Sequence, residues 1–270
     1  MSSRVRAAGL AGVGIAGALA ALLFTQGSAP PQSQGTRFGL MTSLPIYRAP
    51  QASVADALAA ERGAGSQHWL RTALEARNAL EPVDILDPGS LARIDTLLLI
   101  QPRALTPAEN VALDDWVRAG GKVLLVADPM LVSEPPFALG DPRNPQAIAV
   151  TGPILARWGL TLEGDGGVPH EHGMGIGGDD AQPREGEETL ELGQASIPVT
   201  LGGHFSLRAP AGGAPADCKV TNARLVAVCE IGEGRAVLLA DATMFERVPE
   251  PVDAPDAFWA LLGMVRDGSR

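Results

Sequence analysis

Two uninterrupted apolar runs, residues 96–100 (TLLLI) and 123–127 (VLLVA), flank a segment whose hydrophobic positions recur at helical spacing. A strand buried on both faces shows no polar alternation, and parallel sheets bury both faces. Between the runs, Thr106 is placed for an N-cap and Pro107 for the first helical position. Glu109, three residues after Thr106, completes a capping box. Ala112, Leu113, Trp116 and Val117 form one apolar stripe. Gly120 and Gly121 then supply a left-handed C-terminal stop. The whole predicts a parallel β-α-β unit.

The same patterning extends along the chain. It predicts strands at 38–41 and 83–86 and helices over 53–61 and 67–78, the second with Trp69, Ala73, Ala76 and Leu80 on one face. Residues 130–149 are proline-rich and read as an ordered loop or lid, followed by a short helix at 154–158. Residues 164–188 are dense in glycine and acid and predict a mobile insert. Short strands are expected within 189–207. Strands at 224–231 and 235–240, joined by Gly232-Glu233-Gly234, predict a C-terminal β-hairpin. Phe258, Leu261, Leu262 and Val265 have the spacing of a docking terminal helix. The fold class is therefore α/β, with a mostly parallel sheet flanked by helices.

The N-terminus reads differently. Residues 7–24 carry no charge and follow Arg4 and Arg6. As a helix this run is about 27 Å long, enough to cross a bilayer core. Basic residues stay cytoplasmic. Residues 1–24 are thus expected to form a single-pass anchor in a bacterial inner membrane, 25–36 a flexible tether, and 37–270 a periplasmic domain. The alternative is a cleaved signal peptide. Gly27-Ser28-Ala29 resembles a cleavage site, but Pro30 opposes cleavage. Gly12, Gly14 and Gly17 match the dinucleotide-binding spacing without the strand and amphipathic helix it requires, so they read as small residues of a membrane helix.

Charge narrows the partners. The chain of 270 residues has a net charge of −10, and without the two N-terminal arginines 19 basic residues face 31 acidic ones. This argues against nucleic acid and against an anionic lipid surface. No cofactor motif is present. Cys218 and Cys229, in an exported domain, invite a disulfide, with two buried free thiols as the alternative.

Candidate chemistry lies where apolar strands end. Gln101 follows TLLLI, Asp128 follows VLLVA and Asp241 follows AVLLA. In a parallel sheet all three reach the carboxyl edge, where open α/β sheets bind ligands. The charge balance favours a cationic or neutral polar partner there. The competing reading is that Asp128 and Asp241 cap the turns that follow. His170 and His172 sit among Asp165, Asp179 and Asp180. They are weak metal candidates, because their spacing matches no strong ligand motif. His68 and His204 stand alone, and His68 reads as a partly buried surface residue.

The segments Leu40-Met41-Thr42-Ser43-Leu44-Pro45, 97–129 (LLLIQPRALTPAENVALDDWVRAGGKVLLVADP) and 232–245 (GEGRAVLLADATMF) carry a resemblance. Together they resemble the membrane-anchored auxiliary components of ABC-type transport systems, the gliding-motility auxiliary family. The resemblance implies a fold like the class I glutamine amidotransferases and partners that include an ATPase and a permease. Amidotransferases carry a nucleophilic Cys on a sharp turn after a central strand. The corresponding Val126-Ala127-Asp128-Pro129-Met130 has neither Cys nor Ser, and that chemistry needs an activated nucleophile. The expected role is a non-catalytic binding or scaffolding component. The alternatives are an altered hydrolase using the carboxyl-edge acids, with a metal in the His170 loop, and a purely structural envelope protein.

Overall fold

The computed structural model describes residues 35–47, 67–164, 187–211, 216–246 and 255–266. The expected helix at 53–61, most of the expected insert at 164–188 and the N-terminal run at 7–24 lie outside them.

The two apolar runs form neighbouring central strands. The chain enters through β1 (Arg37–Thr42), α1 (Trp69–Glu75), β2 (Ala79–Pro82) and the short α2 (Pro88–Leu91). It continues through β3 (Thr96–Ile100), α3 (Pro107–Arg118) and β4 (Lys122–Val126). After α4 (Gly152–Trp158) come β5 (Leu160–Gly164), β6 (Glu187–Leu192), β7 (Ala195–Thr200), β8 (Gly203–Leu207) and β9 (Asp217–Thr221). Then follow β10 (Val226–Ile231), β11 (Gly234–Leu239), α5 (Thr243–Glu246) and α6 (Asp256–Arg266). One seven-stranded sheet has the order β2-β1-β3-β4-β11-β10-β9. Its first five strands are parallel, and β10 and β9 are antiparallel additions. Two ribbons, β5–β8 and β6–β7, lie outside it.

Every residue of β3 is buried, as an unbroken apolar run requires. The helix that follows is built as its capping signals dictate. Thr106 accepts from the Glu109 backbone N–H, and the Glu109 carboxylate accepts from the Thr106 N–H. Glu109 does more than cap. It also takes Arg103 and the Leu86 N–H, so α3, its entry loop and the turn after β2 are pinned at one carboxylate. The hydrogen bond from Arg103 holds that carboxyl down at about 2 despite burial.

One strand was misplaced by the pattern. Residues 83–86 are not a strand; the strand is Ala79–Pro82, paired with β1 alone. Val83 and Leu86 are apolar because they bury into the core from a turn. The true strand is a half-exposed edge, and an edge strand needs no apolar run.

Behind α1 the core closes on aromatic rings. Trp69 stacks on Phe245 at 5.7 Å, and Phe258 of α6 meets Trp69 edge-on at 5.4 Å. His68 is the N-cap of α1, not a surface residue. Its Nδ1 accepts from the Leu70 N–H, so its Nε2 carries the proton and donates to the Phe245 carbonyl at 3.0 Å. Burial lowers its pKa, consistent with a neutral ring.

Cys218 and Cys229 are directly opposed across β9 and β10 and form a disulfide, with Cα atoms 4.0 Å apart. It ties the sheet's outermost strand to its neighbour. The 11-residue separation corresponds to a loop-closure gain of about 3 kcal/mol. Reduction of the native protein is expected to lower its urea unfolding free energy by about that amount. A midpoint unmoved by reductant, with both thiols then alkylated, would show that the bridge adds nothing to stability.

Candidate functional site

The carboxyl ends of β3, β4 and β11 bring Gln101, Asp128 and Asp241 into one buried layer, 0%, 1% and 1% exposed. Gln101, with φ +44°, turns its side chain back across the sheet edge. Its Oε1 accepts from the Asp128 N–H at 2.8 Å. Its Nε2 donates to the carbonyls of Asp128 (3.1 Å) and Gln146 (2.7 Å). Asp128 accepts from the Met130 N–H at 2.8 Å with one oxygen and from the Ala242 N–H at 3.0 Å with the other. Asp241 accepts from the Thr243 N–H at 2.8 Å, the Thr200 N–H at 3.0 Å and the Thr243 hydroxyl at 3.2 Å.

These bonds sew together three loops, those after β4, β7 and β11. Burial is the main force pushing the Asp128 carboxyl up to about 6. Burial first, and then the charge of Asp128, pushes Asp241 up to about 7. The charge of Glu246 adds to the rise at Asp128, as that of Asp128 does to the rise at Asp241.

In a sheet of this order the strand direction of progression reverses between β1 and β3, which is where ligands of open α/β proteins enter. Here that crevice is filled by the chain itself. Ser43, after β1, donates to the Gln101 carbonyl at 2.6 Å and accepts from the Gln146 N–H at 2.8 Å. The proline-rich segment crosses the edge and returns through Leu131 N–H to Ala147 O and Ala149 N–H to Asp128 O. It is an ordered loop laid over the edge.

Open space lies further along. A cleft of about 360 Å³ is lined by Pro129, Met130, Leu190, Val199, Leu201 and Arg224 among others. Beyond the β5–β8 ribbon a second hollow of about 250 Å³ is lined by Pro129, Ile148, Thr151, Leu162 and Arg208 among others. Sequence patterning did not point to either. Their walls come from ribbons and turns distant in the chain.

His170 and His172 lie outside the described residues. Among the described residues no three His, Cys, Asp or Glu side chains are grouped to hold a metal. Nor, among them, is any helix long and apolar enough to cross a membrane. His204 lines the first cleft, 3.2 Å from Glu163.

These features define an α/β protein with a largely parallel sheet whose carboxyl edge is closed by its own loops. Residues 51–246 match the family described as "Domain of unknown function (DUF4350)", and the chain belongs to that family. No curated protein matches it in sequence. Among solved structures, an exo-β-1,4-mannosidase from Opitutaceae bacterium strain TAV5 is similar at 13% identity and a TM-score of 0.41, over 78% of this chain and 32% of that one. A cytoplasmic protein from Salmonella typhimurium is similar at 13% identity and 0.44, over 74% and 87%. A cold-adapted β-galactosidase from Rahnella sp. R3 is similar at 12% and 0.44, over 88% and 32%. The chain thus spans about a third of the length of both glycosidases.

Proposed function

We propose that this protein is a non-catalytic binding and scaffolding component of an ABC-type membrane transport complex. Residues 1–24 anchor it in a bacterial inner membrane, with the α/β domain on the periplasmic side. The reading rests on the resemblance of residues 40–45, 97–129 and 232–245 to the auxiliary components of such systems, whose domain is amidotransferase-like. The observation that carries the non-catalytic part is Asp128. It stands where an amidotransferase-like chain holds its nucleophile, yet it is 1% exposed and both its oxygens accept backbone N–H groups. A carboxylate so engaged orders loops. Gln101, Asp128 and Asp241 are then positioning residues, and the loops they hold present the surface that the partner meets.

An altered hydrolase is the second reading. It is favoured by one observation: Asp128 and Asp241 are raised to about 6 and about 7, the range a general acid or base needs.

Tagged full-length chain, extracted from native membranes in mild detergent, is expected to bring down an ATPase and a polytopic permease in fixed proportion. The purified domain is expected to release no ammonia from glutamine and no nitrophenol from nitrophenyl acetate. Purification as a lone protein counts against the scaffold. Turnover that disappears in D241N would favour the hydrolase.

A further inference from the structure

Among the described residues, five non-glycine positions have positive φ, and four of them belong to one neighbourhood. Leu201 (+53°), Ala223 (+51°) and Arg224 (+71°) line the 360 Å³ cleft, and Asn222 (+52°) opens the turn that carries the last two. Left-handed backbone is unfavourable for side chains such as Leu, Ala and Arg. Such strain persists where the surrounding structure over-determines it, and it gathers at ligand clamps. Here the surroundings are rigid. The Arg224 carbonyl accepts from Phe205 of β8, the Leu225 carbonyl accepts from Ala240 after β11, and the Asn222 amide reaches the Glu191 carbonyl at 2.5 Å.

The product of this strain is a displayed cation. Eight described arginines are ion-paired with carboxylates: Arg37, Arg71, Arg93, Arg103, Arg118, Arg143, Arg157 and Arg235. Arg224 is not, although the chain carries ten more negative than positive charges. Its guanidinium makes one long bond, 3.3 Å, to the Ser206 hydroxyl. Glu188 lines the same cleft without closing on it. Apart from His204, which lies 3.2 Å from Glu163, the side chains of the rest of the wall are apolar: Pro129, Met130, Leu190, Val199 and Leu225, with Leu201 43% exposed at the rim. An apolar pocket with few placed polar groups is the usual form of a small-molecule site, and this volume lies at the lower end of that range.

We propose that this cleft binds a small amphipathic monoanion. Its carboxylate or sulfonate sits on the Arg224 guanidinium, and its aryl or alkyl body lies against Met130, Leu190, Val199 and Leu225. The two acids below the cleft do not oppose this. Asp128 and Asp241 are buried beneath the loops and engaged with backbone N–H groups, so the charged groups of the cleft wall are the Arg224 guanidinium and the exposed Glu188 carboxylate, and the anion takes the guanidinium. The proposal stands whether or not the domain serves a transporter.

The test uses the full chain and 8-anilinonaphthalene-1-sulfonate, an aromatic body with one anionic group. Fluorescence titration at pH 7 is expected to show one saturable site. R224Q is expected to weaken it roughly tenfold or more, the loss of a charge-assisted bond. V199W, which fills the cleft, is expected to abolish it. R77Q removes an exposed arginine elsewhere and is expected to leave it unchanged. A measurement on the unaltered protein guards against a variant that does not fold: the neutral parent N-phenyl-1-naphthylamine is expected to bind roughly tenfold or more weakly than the sulfonate. The site is refuted by non-saturable fluorescence, by equal affinity of the sulfonate and its neutral parent, or by equal affinity of folded R224Q and wild type.

Discussion

D114A is expected to lower unfolding free energy by about 3 kcal/mol, the lower end for removing one partner of a buried ion pair. Asp114 is the first acid of the Asp114-Asp115 pair on α3 and is 1% exposed. One of its oxygens takes Arg157 at 2.5 and 3.0 Å and Arg118 at 3.1 Å, and the other takes the Trp158 indole N–H at 3.0 Å. Burial pushes this carboxyl up, but the bonds from Arg157, Arg118 and Trp158 together outweigh it and hold the group below its ordinary value. The alanine leaves an indole N–H and two guanidiniums without their acceptor at the junction of α3 and α4. The guanidiniums keep 20% and 30% of their side-chain surface, so water recovers part of the loss. D114N keeps an acceptor for Trp158 and is expected to lose less. Urea unfolding of both variants decides the matter. A loss below about 1 kcal/mol for the alanine would mean the cluster is as weak as a surface pair.

Between pH 5 and 8 the Asp128–Asp241 pair is expected to destabilise the protein increasingly as pH rises. Both folded-state values, about 6 and about 7, lie above the ordinary value of 3.8. In that window the native state holds more protons than the unfolded chain, so its contribution to stability is full below about pH 4 and is lost as pH rises through 7. At 1.36 kcal/mol per pKa unit, the effect of Asp241 alone is on the order of 4 kcal/mol. Glu109, held at about 2, acts the other way and costs stability only in acid. His68, with a lowered pKa, adds stability as pH rises toward its unfolded value. The informative quantity is therefore the difference between wild type and D241N. The asparagine fixes the neutral form. Its cost at the Thr200 N–H is a constant offset, while the pH slope of that site disappears. Urea unfolding at pH 5, 6.5 and 8 should show wild type falling toward the variant. Parallel curves would mean Asp241 titrates normally.

The β-α-β unit was legible because every local signal in it agreed: two apolar runs, an N-cap, a proline, a capping glutamate and a glycine stop. The terminal helix and the β10–β11 hairpin were legible for the same reason. Misreading 83–86 as a strand shows the limit. Val83 and Leu86 are apolar for burial in a turn, whereas Ala79–Pro82 pairs through its backbone and exposes much of its surface. Periodicity reports burial, and it reports strands only where the two coincide. The cleft had no sequence signal at all. Leu201, Ala223 and Arg224 carry no turn-forming character, and the turn that holds Ala223 and Arg224 is fixed by bonds from Phe205 of β8 and Ala240 after β11.

By itself the sequence determined the fold class, five of the seven strands of the central sheet (β1, β3, β4, β10 and β11) and the residues at its carboxyl edge, because unbroken apolar runs and capped helices are local and additive. It also marked the two cysteines that become one bridge. The tertiary structure decided what the edge residues do. Gln101, Asp128 and Asp241 are polar at the same place in three strands, which reads equally as a ligand site or as loop anchors. Only the approach of backbone N–H groups from Met130, Thr200, Ala242 and Thr243 distinguishes the two. A carboxylate satisfied by distant backbone looks, in the sequence, like one that awaits a ligand. The difference is made by long-range chain crossings whose partners lie up to 114 residues away.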